Sequence, residues 1–165
     1  MNYIYTNEES NKQNFPNISK LQILGDFDLK YLNSLENLKI LSLEHGNELG
    51  DSLKGLINLE KLRISYYNHP LGDLLKGLIN LKELSISNYN HPLGDSLEGL
   101  INLKVLHLDT VKDDIENSLL KLSKLEKLYI RLDRFPYSLK KLREKIEINM
   151  TLGYGKTPDN PECFR

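Results

Sequence analysis

The residues of this chain with the most obvious chemistry are four histidines and one cysteine. Imidazole nitrogens and a thiolate can bind a metal ion, and a thiolate can also act as a nucleophile. No Asp, Glu or Cys recurs beside the histidines in a ligand-like cluster, and no nucleophile, base and orienting group stand at motif spacing. The sequence therefore predicts no metal, no cofactor and no catalytic residue. The histidines are His45, His69, His91 and His107.

Charge and composition narrow the classes of partner. Lys and Arg number 22 against 23 Asp and Glu, and the net charge is -1. Such a balance supplies no field to hold nucleic acid or an anionic membrane. The N-terminus lacks a basic start followed by an apolar stretch, so we expect no signal peptide and no membrane span. A single cysteine, Cys163, cannot form an internal disulfide, which agrees with an intracellular, reducing compartment.

The chain repeats itself. Residues 66–87 and 88–109 are identical at 15 of 22 positions, and the segment Gly-Leu-Ile-Asn-Leu occurs three times. A weaker pattern, apolar-x-x-apolar-x-apolar, marks six turns between Ile18 and Ile130, and Ile146 with Ile148 marks a shorter seventh. A fixed period of this length predicts a solenoid, in which each unit packs on its neighbours.

Each unit combines a strand with a return segment. The alternation in Leu84-Ser85-Ile86 has the two-residue period of a short strand. Successive strands run the same way, so they form a parallel sheet, and each return segment crosses back on the other side. The return segments space their leucines three apart, which suits short 3₁₀ or α turns. We expect about seven strands.

An asparagine follows each of three central strands at a constant distance. We predict that these amides are buried and hydrogen-bond the backbone of neighbouring turns, as a structural column. They are Asn47, Asn68 and Asn90.

The repeat pattern also sets the domain boundaries. Residues 1–17 are predicted to be an N-terminal cap or a loose segment, and residues 18–150 the solenoid. Residues 151–165 carry Gly and Pro without any repeat, and are predicted to be a C-terminal tail.

The pattern Leu-x-x-Leu-x-x-Leu-x-x-Leu-x-Leu at residues 53–64 and 75–86 resembles the leucine-rich repeat family, in its shorter class of about 22 residues per turn. The resemblance implies an α/β fold, a right-handed leucine-rich repeat solenoid. Its parallel sheet would lie on the concave face, with short 3₁₀ or α turns on the convex face. It also implies a protein–protein interaction module that binds a protein partner on the concave face.

Residues 67–71 and 89–93, both Tyr-Asn-His-Pro-Leu, also resemble the FNIP repeat. This leucine-rich variant of amoebal and giant-virus proteins has a Phe-Asn-x-Pro-aliphatic core, and here Tyr replaces Phe. FNIP proteins often carry an F-box, and the 17 residues before the first repeat are too few for one. A substrate-recognition role in a ubiquitin ligase would then need an F-box from another chain. We expect an intracellular, cytoplasmic protein, in the host cytoplasm if it is viral.

The middle residue of each strand is expected to point outward on the concave face, and it differs from turn to turn. One interpretation is a recognition surface for a protein partner, since aromatic and Arg side chains dominate interface energetics. The protein would then act as a monomer and bind neither nucleic acid nor membrane. The other is a solvated sheet face, with the loop tyrosines used in packing. The middle residues are Gln22, Ser42, Arg63, Ser85, His107 and Tyr129, and the predicted partner-binding residues are Arg63, Tyr67, Ser85, Tyr89, His107 and Tyr129.

Two other functional classes compete with a binding module. The chain could be a structural or degenerate repeat protein without a specific partner. Some bacterial leucine-rich repeat effectors carry a cysteine ubiquitin ligase domain, which would give Cys163 a catalytic role. That domain needs a sizeable helical region around the thiol, and only Lys156 and Arg165 are near Cys163 to lower its pKa. We therefore expect no enzymatic activity.

Overall fold

A single parallel sheet organises the chain in the computed structural model. The structure describes residues 2–5, 18–25, 29–44, 48–111, 115–132 and 139–152. Strands lie side by side in chain order, and each pairs in parallel with the next. They are β1 (Asn2–Tyr5), β2 (Lys20–Leu24), β3 (Ile40–Glu44), β4 (Lys61–Ser65), β5 (Glu83–Ser87), β6 (Val105–Val111), β7 (Lys127–Leu132) and β8 (Glu147–Leu152).

The register places equivalent repeat positions next to each other. Leu62 of β4 pairs with Leu84 of β5, and Leu84 pairs with Leu106 of β6. Within β4 the side chains alternate, with Leu62 and Ile64 buried and Arg63 exposed. Since the side-chain period of a strand is two, one face of the described sheet is apolar and covered, and the other carries mostly polar side chains.

The return segments are short helical turns, as predicted. The described ones contain 3₁₀ helices at Leu29–Ser34 and Gly94–Leu97, and the α-helices α1 (Glu116–Leu120) and α2 (Lys140–Arg143). Their three-residue leucine spacing points one side chain per turn towards the sheet. Leu75, Leu78 and Leu81 of one return segment are all fully buried. The core therefore lies between the sheet and the turns and is almost entirely leucine and isoleucine.

Consecutive turns approach so closely that the backbone leaves no room for a side chain at some positions. A Cβ atom on Gly99 would lie 2.6 Å from both the Cα and the carbonyl oxygen of Lys76 in the preceding turn. A Cβ atom on Gly55 would likewise lie 2.8 Å from the Asn33 carbonyl oxygen, whereas at Gly77 the nearest atom is 3.7 Å away. Turn-to-turn contact therefore explains the glycine of Gly-Leu-Ile-Asn-Leu in two of its three copies.

The two ends of the sheet extend the predicted pattern. The segment predicted to be a cap or loose contributes β1, which pairs with β2 and is the eighth strand. At the other end β8 continues through Leu152, two residues past the predicted boundary at residue 150. Residues 153–165 lie outside the described part of the chain.

The leucine core predicts a large and position-specific loss of stability on truncation. Leu84 is fully buried in the middle of the sheet, so Leu84→Ala should lower the free energy of unfolding by about 2–5 kcal/mol. Ile79 is 46% exposed on a turn, and Ile79→Ala should cost less than about 1 kcal/mol. Urea unfolding of both variants measures the difference. Equal losses would contradict this assignment of the core.

Candidate functional site

The polar side of the sheet is the candidate functional site, and we call it the sheet face. It consists of the outward side chains at the first, third and fifth positions of the strands. Four of the predicted partner-binding residues lie on it at the same register position of four consecutive strands. Arg63 is exposed, and the other three are half-buried: Ser85, His107 and Tyr129.

His107 and Tyr129 form an aromatic stack on the sheet face. Their ring centroids are 4.3 Å apart, and the ring planes differ by 5°. Neighbouring strands are separated by about 4.8 Å, which matches the distance at which two rings stack face to face. The parallel pairing of β6 and β7 therefore orients both rings across the strands with their faces in contact.

Most charges on the sheet face are paired with each other across adjacent strands. Lys61 Nζ lies 2.6 Å from a Glu83 carboxylate oxygen, and Arg131 forms an ion pair with Asp109. At the last pair of strands Lys127 Nζ lies 3.5 Å from Glu147. The Asn149 amide donates to the same Glu147 carboxylate, and this hydrogen bond together with Lys127 holds the pKa of Glu147 below its usual value. The C-terminal half of the face is thus polar without a strong net charge.

Arg63 differs from these paired charges. It forms no ion pair with any residue in the described part of the chain, and its side chain is exposed. The adjacent strands place serines beside it, with Ser42 on β3 and Ser85 on β5. Ser87 donates its hydroxyl proton to Ser65 Oγ at 2.9 Å, which links β4 and β5 at their next outward position. Arg63 is therefore flanked by a small side chain on each neighbouring strand.

A cavity of about 300 Å³ opens over the C-terminal half of the sheet face. It begins at Ser85 and Ser87, passes the His107–Tyr129 stack and ends at Asn149. Its walls offer hydroxyl, imidazole, phenol and amide groups. These groups can hydrogen-bond and stack with another molecule.

Tyr67 and Tyr89 do not belong to this surface, so their predicted role in partner contact is wrong. They are only 4% and 3% exposed. The Tyr67 hydroxyl accepts a hydrogen bond from the Leu49 N–H at 2.9 Å, and the Tyr89 hydroxyl accepts one from Leu71 N–H at 2.9 Å. Burial raises the pKa of Tyr67. Each ring packs inside its turn, and its hydroxyl satisfies a buried N–H of the preceding turn.

The predicted column of buried asparagines is also wrong. Asn68 and Asn90 are exposed, and Asn47 lies outside the described residues. The rings of the neighbouring Tyr67 and Tyr89 occupy the interior instead of the amides. Packing decides this, because the large ring buries far more apolar surface than an amide.

A column of asparagines does exist, at the fourth position of Gly-Leu-Ile-Asn-Leu. Asn58, Asn80 and Asn102 donate to backbone carbonyl oxygens of the preceding turn, at 2.8, 2.9 and 2.7 Å. The three acceptors belong to Glu36, Ile57 and Ile79. The threefold recurrence of this segment was the sequence signal that could have located the column. These amides are more exposed than the tyrosines, and they close the outer rim of the turns.

The remaining candidates for chemistry are the other histidines and the single cysteine. Within these ranges no three His, Cys, Asp or Glu side chains are close enough to hold a metal ion. The His91 Nε2 atom lies 3.0 Å from the Asn68 carbonyl oxygen, so this repeated histidine bridges two turns. His45 and Cys163 lie outside the described residues. Among the helices that the structure describes, none has the length and apolar character to cross a membrane.

Comparison with known proteins shows the fold. No family model and no curated protein matches the sequence. Among solved structures, internalin C2 from Listeria monocytogenes is similar to this chain, with a TM-score of 0.50 and 21% sequence identity. The match covers 81% of this chain and 68% of internalin C2. The chain therefore has an α/β leucine-rich repeat solenoid fold, as predicted.

The buried tyrosine hydroxyls predict a specific loss of stability. Tyr67→Phe keeps the ring but leaves the Leu49 N–H without its partner in the interior. An unsatisfied buried donor costs about 1–3 kcal/mol of unfolding free energy. Tyr129→Phe, on the sheet face, is the matched control and should cost less than about 0.5 kcal/mol. Equal values from chemical denaturation would show that the hydrogen bond contributes little.

The raised pKa of Tyr67 predicts alkaline destabilisation. The usual pKa of a tyrosine phenol is 10.0, and burial holds the proton of Tyr67 more tightly in the folded state than in the unfolded state. The stabilisation is fully present below pH 10 and is lost as the pH rises through the folded pKa. Unfolding free energies measured between pH 9 and pH 12 should fall less steeply for Tyr67→Phe than for the wild type. Identical slopes would contradict the burial of this phenol.

Proposed function

We propose that this protein is a non-catalytic protein-binding module that uses the sheet face. The observation that carries the proposal is the contrast between the two sides of one sheet. Core positions repeat Leu or Ile from strand to strand, whereas the outward positions of four central strands carry Arg63, Ser85, His107 and Tyr129. A scaffold whose core residues repeat and whose outward residues differ presents a chemically specific surface, with its side chains at a fixed spacing.

The chemistry of the face supports protein as the partner. Aromatic and arginine side chains are enriched in interface hot spots. The internal ion pairs offset most charges and leave the described part of the face near neutral, so it does not form the positive stripe that binding to phosphates requires. The hydroxyl, amide and imidazole groups that line the cavity suit the polar atoms and rings of another protein.

The size of the surface bears on how a partner binds. Eight strands spaced about 4.8 Å apart, on a face about 20 Å wide, give an area of about 700 Å². A standard interface takes about 800 Å² from each partner. We infer that the partner also contacts the loops at the strand ends, where Tyr66 is 48% exposed. Its backbone lies in the left-handed region, with φ 56°.

The finer family assignment is also a proposal. We assign residues 66–109 to the FNIP variant of leucine-rich repeats. The burial of Tyr67 and Tyr89 supports this, because these tyrosines stand where the FNIP core has Phe, an apolar ring. The protein is proposed to act as a monomer inside the cell, in the cytoplasm, which a single cysteine supports.

The sheet face can be tested by removing two of its side chains together. Arg63→Ala with Tyr129→Ala should abolish co-purification of a stoichiometric partner from native cells, because both side chains are outward and neither is in the core. The far-ultraviolet circular dichroism should stay unchanged.

The control is a second double variant on the turns. Lys54→Ala with Lys76→Ala removes two exposed side chains that lie away from the sheet face, and it should retain the partner. Undiminished capture by the Arg63 and Tyr129 variant would refute the proposal.

A further inference from the structure

Among the four sheet-face residues from Arg63 to Tyr129, one position lacks a large side chain. Arg63, Ser85, His107 and Tyr129 follow one another in register. Tyr129 stacks on one face of the His107 ring. The neighbour on the opposite side is Ser85, whose side chain is too short to cover the other face of the imidazole.

The space above Ser85 has the dimensions of one stacked ring. Arg63 and His107 are two strands apart, or about 10 Å. A planar group between them would lie one strand spacing from each, close to the 4.3 Å at which His107 and Tyr129 already stack. Ser85 and His107 both line the cavity on the sheet face, so the side of this space next to His107 is open to a neighbouring molecule.

The two sides of this space favour an aromatic occupant. On one side is the face of the His107 ring, which extends an existing stack. On the other side is Arg63, exposed and without an ion pair among the described residues, so its guanidinium can lie over a ring as a cation–π contact. The nearby Lys61 is paired with Glu83, so it does not compete as a second free cation.

We propose that the sheet face binds an aromatic side chain of a partner protein in the space above Ser85, between His107 and Arg63. This inference rests on the proposed function and names the anchor that the face recognises. The ring stacks on His107 as a third member of the row, and Arg63 closes over its outer face. An aliphatic side chain gains neither contact, since it has no π face. The near-neutral charge of the face disfavours a nucleotide, whose phosphate carries negative charge.

The test uses amino-acid amides as probes and nuclear magnetic resonance of the full chain. N-acetyltyrosinamide and N-acetyltryptophanamide should shift the resonances of the His107 ring and the Ser85 amide saturably. N-acetylleucinamide should bind at least about ten-fold more weakly, which is the size of effect that stacking and cation–π contacts produce. Adenosine is included to represent a nucleobase.

Two phenylalanine variants at the same register position make the test specific. Ser85→Phe fills the space and should weaken binding of the aromatic amides at least about ten-fold. Gln22→Phe adds the same ring two strands away from Arg63, out of reach of its guanidinium, and should leave binding nearly unchanged. His107→Ala should also weaken binding, and it does so without adding bulk, so it remains informative if Ser85→Phe does not fold.

Several outcomes would overturn the inference. They are an absence of saturable shifts, an equal response to the leucine amide, a stronger response to adenosine, or retained binding in both His107→Ala and Ser85→Phe. None of these would by itself refute protein binding by the face, since the Arg63 and Tyr129 double variant tests that with a whole partner. Loss of the aromatic anchor and loss of the binding function are therefore distinguishable.

Discussion

The structure depends on the stacking of aliphatic side chains between consecutive turns. No single turn of this chain can bury its own leucines, because each turn is one layer thick and exposes both of its flat sides. Because Leu62, Leu84 and Leu106 pair in register, each turn has apolar contacts with the preceding turn and with the following turn. The hydrophobic gain grows with each added turn, while every turn contacts only its neighbours. The parallel sheet and the short helical turns both follow from this requirement.

Close stacking creates a second constraint, which concerns backbone polar groups. The return segments have no sheet partner, so their N–H and C=O groups must find others. Tyr67 and Tyr89 satisfy N–H groups from inside the turns, and the Asn58, Asn80 and Asn102 column satisfies carbonyl groups at the rim. Glycine permits the closest approach, as at Gly99. The repeated polar residues of this chain are thus mostly structural.

The sheet face is free of both constraints, which is why it can differ from strand to strand. Its side chains point away from the core and its backbone is already paired in the sheet. Small, charged and aromatic residues can therefore alternate without loss of stability. The proposed recognition surface combines the His107–Tyr129 stack, the exposed Arg63 and the short Ser85 between them. A rigid sheet holds these groups at the strand spacing, so the order of residue types in the row becomes a spatial pattern.

The sequence by itself determined the strands, their parallel order, the leucine core and the outward position of residues such as Arg63 and His107. These features follow from periodicity, since a period of two assigns the faces of a strand and a period near 22 assigns the stacking. Only the tertiary structure decided which polar residues of the loops are buried. Tyr67 and Asn68 are adjacent and both recur in each copy, so their pattern could not tell which one turns inward, and packing selected the ring. The stacking of His107 on Tyr129 and the space above Ser85 likewise depend on distances between strands, which no spacing along the chain records.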